Sequence, residues 1–315
     1  MAFSLARAEG RLGWIFGSSR SGSTWLLRML GSLDGVVPID DPHLGHHLGV
    51  WRPISLAWAA AESPPDLTTL DRIKHDKPSY FFSDAYREAW EPALRQLIVA
   101  RFDAEAEAEA SGPPPGADGA ATPFVLVKEP GSHVADILVR LFPQSRMVFL
   151  LRDGRDVVDS WLAAYREGSW ALDEGAFPAT EAGRLALVRW QAAVWAFRTD
   201  VVRRAYEDHP LDRRVLVRYE DLVADPAGQL VRIADALGLT VPAAALADVA
   251  AEFDYERVPA ADKGEDKFIR SATPGGWREN CTPAEQEAMH EVMGPVLASM
   301  GYAGEPEVMP PPVPR

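Results

Sequence analysis

Four short runs of the sequence are apolar at every position, and most are followed by a polar turn and then a helical pattern. The runs are Leu12 to Phe16, Phe124 to Val127, Met147 to Leu151 and Val215 to Val217. Continuous apolarity, rather than alternation, is typical of strands in a parallel sheet that is covered on both faces. The order of strands and helices therefore predicts a single doubly wound α/β domain with a central parallel sheet.

Seven further segments carry apolar residues at helical spacing and predict the helices of this domain. They are Ser23 to Leu33, Tyr86 to Arg101, Val134 to Phe142, Asp156 to Arg166, Glu181 to Tyr206, Pro226 to Leu237 and Pro283 to Met300. The region from about Pro38 to Trp90 predicts an irregular helical cover over the sheet. Its aromatic residues either line an acceptor pocket or, more often for such spacing, form plain core: Trp51, Trp58, Tyr80, Phe81, Phe82, Tyr86 and Trp90.

The domain is predicted to span residues 1–302, with a low-complexity insertion at 103–122 and a proline-rich tail at 303–315. The insertion begins with alternating Ala and Glu, which can extend the preceding helix. Prolines and glycines between Ser111 and Gly119 then prevent a helix. Predicted strands lie on both sides, so this segment is an insertion and not a domain boundary.

The composition of the chain argues against several classes of protein. The 315 residues carry a formal net charge of −14, which argues against a nucleic-acid binder because such proteins need a broad basic footprint. One cysteine, Cys281, excludes a disulfide framework and fits a reducing cytosol. The N-terminus lacks an apolar core of signal-peptide length, and no run approaches the ~20 apolar residues of a membrane span. We therefore expect a cytoplasmic protein.

A glycine- and serine-rich loop follows the first predicted strand and precedes the first helix. This geometry points free backbone N–H groups at an oxyanion. Gly17 and Gly22 have the spacing of the nucleotide P-loop, but Ser23 stands where that motif carries its lysine. The cation is instead Arg20, whose planar guanidinium suits phosphate or sulfate. The loop predicts an oxyanion site without a metal, and a plain strand–helix turn is the alternative.

A second charged block follows the predicted strand Met147 to Leu151. Arg152 lies at the carboxyl end of this strand, where ligands of open α/β sheets gather, and Ser160 lies two turns into the next helix. From this block alone, two interpretations are equally supported: a ligand-binding block, and a plain helix start whose acidic residues are favoured by the helix dipole.

Together the two blocks resemble the sulfotransferases that use 3′-phosphoadenosine 5′-phosphosulfate (PAPS). Arg20 to Trp25 matches the family's [KR]-[SG]-G-[ST]-[ST]-W loop for the 5′-phosphosulfate, and Arg152 to Ser160 matches its R-[DN]-x-x-D-x-x-x-S block for the 3′-phosphate. The resemblance runs from residue 12 to about 300. It implies that PAPS is bound by Ser19, Arg20, Ser21, Gly22, Ser23, Thr24, Trp25, Arg152, Ser160, Tyr219, Arg270 and Trp277.

Two departures from the family pattern bear on mechanism. The C-terminal motif R-K-G-x-x-G-x-W is degraded between Arg270 and Trp277. The K-T-H segment reads Lys128-Glu129-Pro130, so the family's usual catalytic histidine is missing. Arg20 and Lys128 remain the cations expected to stabilise negative charge on the leaving phosphate.

Three candidates for the catalytic base remain. Asp41 is favoured because it lies 21 residues after Arg20, where the tyrosylprotein sulfotransferases carry their catalytic glutamate. His46 and His47 are substrate contacts or an alternative base, and Glu129 is a further candidate at a strand end. A helix-capping turn at Asp41 is the alternative interpretation. The histidines near Asp41 lack a recognisable fourth ligand, so no metal is expected.

The predicted reaction is in-line transfer of the sulfuryl group from PAPS to a hydroxyl of a small or medium-sized acceptor. The acidic balance predicts a neutral or cationic acceptor, since an acidic surface repels polyanions. A P-loop kinase-like phosphotransferase and a catalytically inactive nucleotide-binding module are the alternatives, and a homodimer stays open.

Overall fold

The computed structural model describes residues 4–48, 78–110, 123–173, 183–264, 267, 269 and 273–302. Five strands form one sheet in these ranges: β1 Leu12–Phe16, β2 Val36–Asp40, β3 Phe124–Lys128, β4 Arg146–Leu151 and β5 Arg214–Arg218. Their order across the sheet is β2-β3-β1-β4-β5, and every pair is parallel. The predicted α/β fold with a central parallel sheet is confirmed.

The central strands are buried on both faces, as their continuous apolarity predicts. Every residue of β1 is buried, and neighbours along it belong to different apolar clusters. Trp14 and Phe16 pack into the cluster on one face of the sheet, whereas Ile15 packs into the cluster on the other. Because β1 is the central strand of the sheet, its carboxyl end lies at the middle of the sheet edge where ligands bind in such folds.

The edge strand β2 corrects the sequence prediction, which begins the irregular cover at Pro38. Proline lacks a backbone N–H and is tolerated in a strand only at an edge, which is where β2 lies. The Pro38 ring packs against Gly31, at which an added Cβ would lie only 2.9 Å from the Cβ of Pro38. Lys128 therefore ends the third strand in chain order. It is paired in register with Asp40.

The helices of the described ranges surround this sheet. In chain order they are α1 Ser23–Gly31, α2 Leu44–His47, α3 Arg87–Ala110, α4 Ala135–Leu141, α5 Gly154–Ala164, α6 Trp170–Asp173, α7 Arg184–Asp208, α8 Tyr219–Ala224, α9 Pro226–Leu237, α10 Ala243–Glu252, α11 Trp277–Asn280 and α12 Pro283–Ser299. The alternating Ala/Glu stretch does extend the preceding helix, since α3 continues to Ala110. Residues 111–122 and 303–315 lie outside the described residues. Among the helices described, none is both long and apolar enough to cross a membrane.

Aromatic residues of the predicted cover differ in how deeply they are buried. Trp90 is buried in an apolar cluster, and Phe82 packs edge-on against it with ring centroids 5.5 Å apart. Phe81 is 78% exposed. Trp51 and Trp58 lie outside the described residues. The core interpretation therefore holds for Trp90 and Phe82.

Candidate active site

The loop between β1 and α1 is built on close backbone approaches. Gly22 has a φ of +88°, and an added Cβ would lie 2.7 Å from the ring of Tyr219. At Gly17 an added Cβ would overlap the carbonyl oxygen of Leu150. Gly22 is also the N-cap of α1 and brings no capping side chain, so the first N–H groups of α1 are left for another acceptor. This arrangement is suited to binding an oxyanion.

The two sequence blocks interlock in space. The Nε atom of Arg20 donates a hydrogen bond to Oγ of Ser160 at 3.1 Å, and Arg152 donates one to the carbonyl oxygen of Arg20 at 2.8 Å. The Arg152 guanidinium lies over the Tyr219 ring, 4.4 Å from its centroid. Arg20 likewise lies over Trp170, at 5.1 Å. Four residues predicted to bind the cofactor thus form one cluster.

A cavity of about 380 Å³ opens beside this cluster. The floor includes Trp25, whose indole N–H donates to the carbonyl oxygen of Phe253 at 2.9 Å. Two exposed arginines that the sequence analysis does not single out, Arg28 and Arg257, add positive charge to the wall. The residues predicted to bind cofactor that line this cavity are Arg20, Gly22, Ser23, Thr24, Trp25, Arg152, Ser160 and Tyr219.

Lys128, at the end of β3, joins the loop to the edge strand. Its ammonium nitrogen donates to Oγ1 of Thr24 at 2.7 Å and lies 2.9 Å from Oδ2 of Asp41 and 2.6 Å from Oδ1 of Asp40. Asp41 has a φ of +50°, which a non-glycine residue adopts only when its surroundings hold it there. The backbone N–H of Asp41 donates to the carbonyl oxygen of Lys128 at 3.2 Å. Lys128 and Asp41 are therefore brought together as a pair.

A second cavity, of about 360 Å³, lies on the other side of the loop. Three residues, Arg20, Ser23 and Thr24, line both cavities. The walls of the second cavity combine charged groups with aromatic rings, namely Asp41, Lys128, Glu129, Arg198, Trp161, Tyr165, Trp170 and Trp190. The two cavities are therefore adjacent and share these three loop residues.

A sequence model described as "Sulfotransferase family" matches residues 14–243, which is most of the chain. The chain belongs to the sulfotransferase family. No protein among those with curated functions matches this sulfotransferase in sequence.

Two solved sulfotransferase structures share the fold. Mouse sulfotransferase SULT7A1 complexed with PAP aligns with a TM-score of 0.52 and 13% identity, covering 91% of this chain and 84% of that one. The sulfotransferase domain from the curacin biosynthetic pathway aligns with a TM-score of 0.50 and 17% identity, covering 92% of this chain and 97% of that one. At these identities the likeness concerns the fold.

The side chain of Glu129 in this sulfotransferase is hydrogen-bonded to backbone N–H groups and holds them in place. It is 1% exposed, and its carboxylate accepts hydrogen bonds from the N–H groups of Leu44 at 2.9 Å, Gly45 at 3.4 Å and Gly131 at 2.7 Å. Burial raises the pKa of Glu129, and the three N–H groups oppose that shift. These bonds fix the start of α2. The side chains of His46 and His47, and all of Arg270, lie outside the described residues.

The degraded C-terminal segment is attached to the second block through its backbone. Asp156 accepts hydrogen bonds from the N–H groups of Gly275 at 2.7 Å and Trp277 at 3.3 Å. The Trp277 ring is buried between the guanidiniums of Arg155 and Arg278, 4.2 and 4.6 Å from its centroid. Within the described residues, Trp277 therefore packs against the second block and lines neither cavity.

The two remaining serines of the loop, Ser19 and Ser21, differ in burial and in what they contact. Ser21 is 1% exposed, beneath the loop, whereas Ser19 lines the second cavity and accepts a hydrogen bond from Arg198 at 3.1 Å. Arg198, which is 5% exposed, is not among the site residues predicted from the sequence. Burial lowers its pKa to about 10, and the charge of Glu129 opposes that shift. A signal exists in the sequence, because an arginine between Trp195 and Val201 interrupts an apolar helical stripe.

Over the described ranges, no group of three or more His, Cys, Asp or Glu side chains is placed to hold a metal ion.

Proposed function

We propose that this sulfotransferase transfers the sulfuryl group of PAPS, in line, to a hydroxyl of a small or medium-sized acceptor. One observation carries the proposal: Arg20, Ser23 and Thr24 line both cavities, so a donor and an acceptor would meet at the same loop. Membership of the sulfotransferase family supports the reaction class.

The donor is assigned to the first cavity. Its 5′-phosphosulfate would lie against the N-terminal N–H groups of α1 and the guanidinium of Arg20. Its 3′-phosphate would meet Arg152 and Ser160, with the adenine near Tyr219. Support for this orientation comes from the cation and ring arrangement, in which Arg152 already covers one face of Tyr219. Solved relatives in the fold include a complex with PAP, the product that PAPS leaves behind.

Asp41 is the proposed base. In the transfer step the acceptor oxygen forms a bond to sulfur while the bond from sulfur to the bridging phosphate oxygen breaks. The acceptor's proton passes to a carboxylate oxygen of Asp41, and negative charge moves onto the leaving phosphate. Lys128 and Arg20 stabilise that charge. Lys128 also holds Asp41, whose Oδ2 lies 2.9 Å from its ammonium, at the wall of the acceptor cavity.

The acceptor's overall charge follows from longer-range forces. A net charge of −14 repels polyanions at the protein surface and favours a neutral or cationic molecule. Charges inside the acceptor cavity act at shorter range, and they decide how individual groups of the acceptor are recognised.

Turnover with PAPS tests the proposal. Purified protein is incubated with PAPS and a panel of phenols, aliphatic alcohols, sterols, hydroxy acids and peptides, and release of adenosine 3′,5′-bisphosphate is followed together with the mass of each acceptor. Sulfonation of at least one acceptor in the presence of EDTA is expected. Phosphorylation from ATP and magnesium would instead support a kinase-like enzyme, and binding without any turnover would support an inactive module.

A further inference from the structure

The connection between the edge strand β2 and the helix α2 runs from Asp41 to Leu44 and has an unusual backbone conformation. Asp41 and His43 have positive φ values of +50° and +55°, and the ring of Pro42 between them fixes the φ of that residue. A residue other than glycine keeps a positive φ only where its surroundings hold it there. The place of the Asp41 carboxylate therefore depends on the contacts at the two ends of the connection.

Two consecutive residues of the chain hold these two ends. Lys128 accepts a hydrogen bond from the backbone N–H of Asp41 and pairs with its carboxylate. Glu129 accepts hydrogen bonds from the N–H groups of Leu44 at 2.9 Å and of Gly45 at 3.4 Å. Strand β3 is buried along its length and ends at Lys128, so the connection is held by the carboxyl end of a buried strand.

The turn that follows β3 belongs to the same assembly. The Glu129 carboxylate accepts a further hydrogen bond from the N–H of Gly131 at 2.7 Å. The backbones of Gly131 and Gly45 approach so closely that a Cβ added to Gly45 would overlap the carbonyl oxygen of Gly131. Ser132 donates a hydrogen bond to the carbonyl oxygen of Gly17, at the start of the loop between β1 and α1. One turn therefore contacts both that loop and the start of α2.

We infer that Glu129 is a positioning residue for sulfuryl transfer, which holds the connection from Asp41 to Leu44 and so places the Asp41 carboxylate at the proton of the acceptor hydroxyl. Glu129 does not take that proton itself. The inference rests on the proposed function, because it deepens the role that the proposed function gives to Asp41. A catalytic group displaced by about 1 Å can lose about 10²-fold in rate, so the contacts that place Asp41 matter for turnover.

Transfer of the proton to Glu129 is the competing interpretation, because Glu129 also lines the second cavity. Glu129 is 1% exposed, and its two oxygens already accept three backbone hydrogen bonds. Those bonds are strong because the carboxylate is charged, and a proton on Glu129 would remove the charge and weaken them. A base at this position would therefore loosen, in every turnover, the segment that carries Asp41. The contacts favour the positioning role.

Hydrogen–deuterium exchange and turnover test the inference together. Exchange is followed in peptides that cover residues 41–48, which contain two of the three N–H groups bound by Glu129. Turnover is measured at saturating PAPS, with the compound that wild type sulfonates fastest in a panel of phenols, aliphatic alcohols, sterols, hydroxy acids and peptides. Affinity for adenosine 3′,5′-bisphosphate is measured by calorimetry.

Two substitutions of Glu129 differ in how many of its hydrogen bonds they remove. Glu129→Ala removes all three, so it should speed exchange at residues 41–48 and lower kcat by about a hundredfold. Glu129→Gln keeps one carbonyl oxygen, so exchange should rise less and kcat should fall by about tenfold or less. Bisphosphate affinity should stay within about twofold in both variants, because the donor site is left intact.

Gly45→Ala displaces the same segment and leaves the Glu129 carboxylate in place, because its Cβ would overlap the carbonyl oxygen of Gly131. This variant should also speed exchange at residues 41–48 and lower kcat by about tenfold to a hundredfold. Together with Glu129→Gln, it carries the comparison if Glu129→Ala does not fold.

Glu285→Ala is the matched control. Glu285 is 4% exposed, accepts a hydrogen bond from the N–H of Thr282 at 2.8 Å and lines neither cavity formed by the described residues. Its loss should leave both kcat and the exchange at residues 41–48 unchanged. Circular dichroism confirms the folding of each variant.

Three results would overturn the inference. The first is unchanged exchange at residues 41–48 in Glu129→Ala. The second is a Gly45→Ala protein with faster exchange and the wild-type kcat, since the place of the connection would then not matter. The third is a Glu129→Gln protein that loses about 10²- to 10⁴-fold in kcat with unchanged exchange, as expected of a base. Failure of the proposed function is distinct: wild type would then sulfonate no acceptor, and the inference would fall with it.

Discussion

Arg20 and Ser160 are 140 positions apart in sequence, yet Nε of Arg20 donates a hydrogen bond to Oγ of Ser160 at 3.1 Å. The loop expected to hold the 5′-phosphosulfate and the helix expected to hold the 3′-phosphate are therefore coupled directly. The bond also fixes the direction of a guanidinium that lines both cavities.

Ser160→Ala removes this bond together with a hydroxyl of the donor cavity. We expect affinity for adenosine 3′,5′-bisphosphate to fall by about 1 to 2 kcal/mol, roughly fivefold to thirtyfold, with a further fall in kcat as Arg20 loses its orientation. Calorimetry and initial rates measure the two effects. Ser169→Ala removes another buried serine hydroxyl, which lines neither described cavity, and should change neither quantity. Equal losses in both variants would contradict the role given to Ser160.

Asp40 and Asp41 form a matched pair for testing the base. Both carboxylates lie within 3 Å of the Lys128 ammonium, but of the two only Asp41 lines the second cavity, which we assign to the acceptor. Asp41→Asn should lower kcat by about 10²- to 10⁴-fold while bisphosphate affinity changes little. Asp40→Asn, which removes a charge from the same lysine, should keep kcat within a few fold. Comparable activity losses would mean that the carboxylates act through Lys128 and that neither is the base.

Gly22, in the loop before α1, and Gly35, in the turn before β2, separate the effect of backbone strain from that of steric overlap. Gly22 and Gly35 both have positive φ, +88° and +78°, but an added Cβ at Gly35 meets nothing within 4 Å. Gly35→Ala should cost about 1 kcal/mol of unfolding free energy. Gly22→Ala should cost about 1 to 3 kcal/mol more and also weaken bisphosphate binding, because its Cβ would collide with the Tyr219 ring. Thermal unfolding and calorimetry distinguish the variants, and indistinguishable behaviour would contradict the close approach.

Asp156 tests the attachment of the C-terminal segment. Asp156→Ala removes the acceptor of two backbone hydrogen bonds, to Gly275 and Trp277, and should lower unfolding free energy by about 2 kcal/mol and loosen the cover on the donor side. Asp159→Ala, one turn along the same helix, loses a bond to the Asn280 side chain at 3.1 Å and should cost less. Chemical denaturation compares the two. A larger loss in Asp159→Ala would show that the segment is held elsewhere.

The sequence predicts four of the five strands, including the edge strand β5, and misses the edge strand β2. Strand β1 is apolar throughout, so its burial can be predicted from its composition. Strand β2 contains Pro38 and ends in Asp40, features that argue against a strand unless its edge position is known. That edge pairing also places Asp40 opposite Lys128, a relationship between strands that no local pattern contains.

Two parts of the candidate site escape sequence analysis for different reasons. The C-terminal motif lacks the family's lysine, so its attachment to the rest of the site looks weakened from the sequence. The attachment is made instead by Asp156, which accepts hydrogen bonds from the backbone of Gly275 and Trp277, and these bonds do not depend on the missing lysine. Arg198 donates a hydrogen bond to Ser19, which lies 179 positions away in the sequence. This contact therefore cannot be predicted from the residues around Arg198. Only its interruption of an apolar helical stripe marks it in the sequence.

Calorimetric titration with adenosine 3′,5′-bisphosphate in EDTA tests the central claim most directly, because it asks whether the first cavity binds the product of PAPS without a metal. We predict saturable binding at one site that magnesium does not alter and that Arg152→Ala weakens at least roughly tenfold. Arg140→Ala, at an arginine that pairs with Glu91 outside both described cavities, should leave it unchanged. Absence of binding at millimolar ligand, or binding that requires magnesium, would contradict the account.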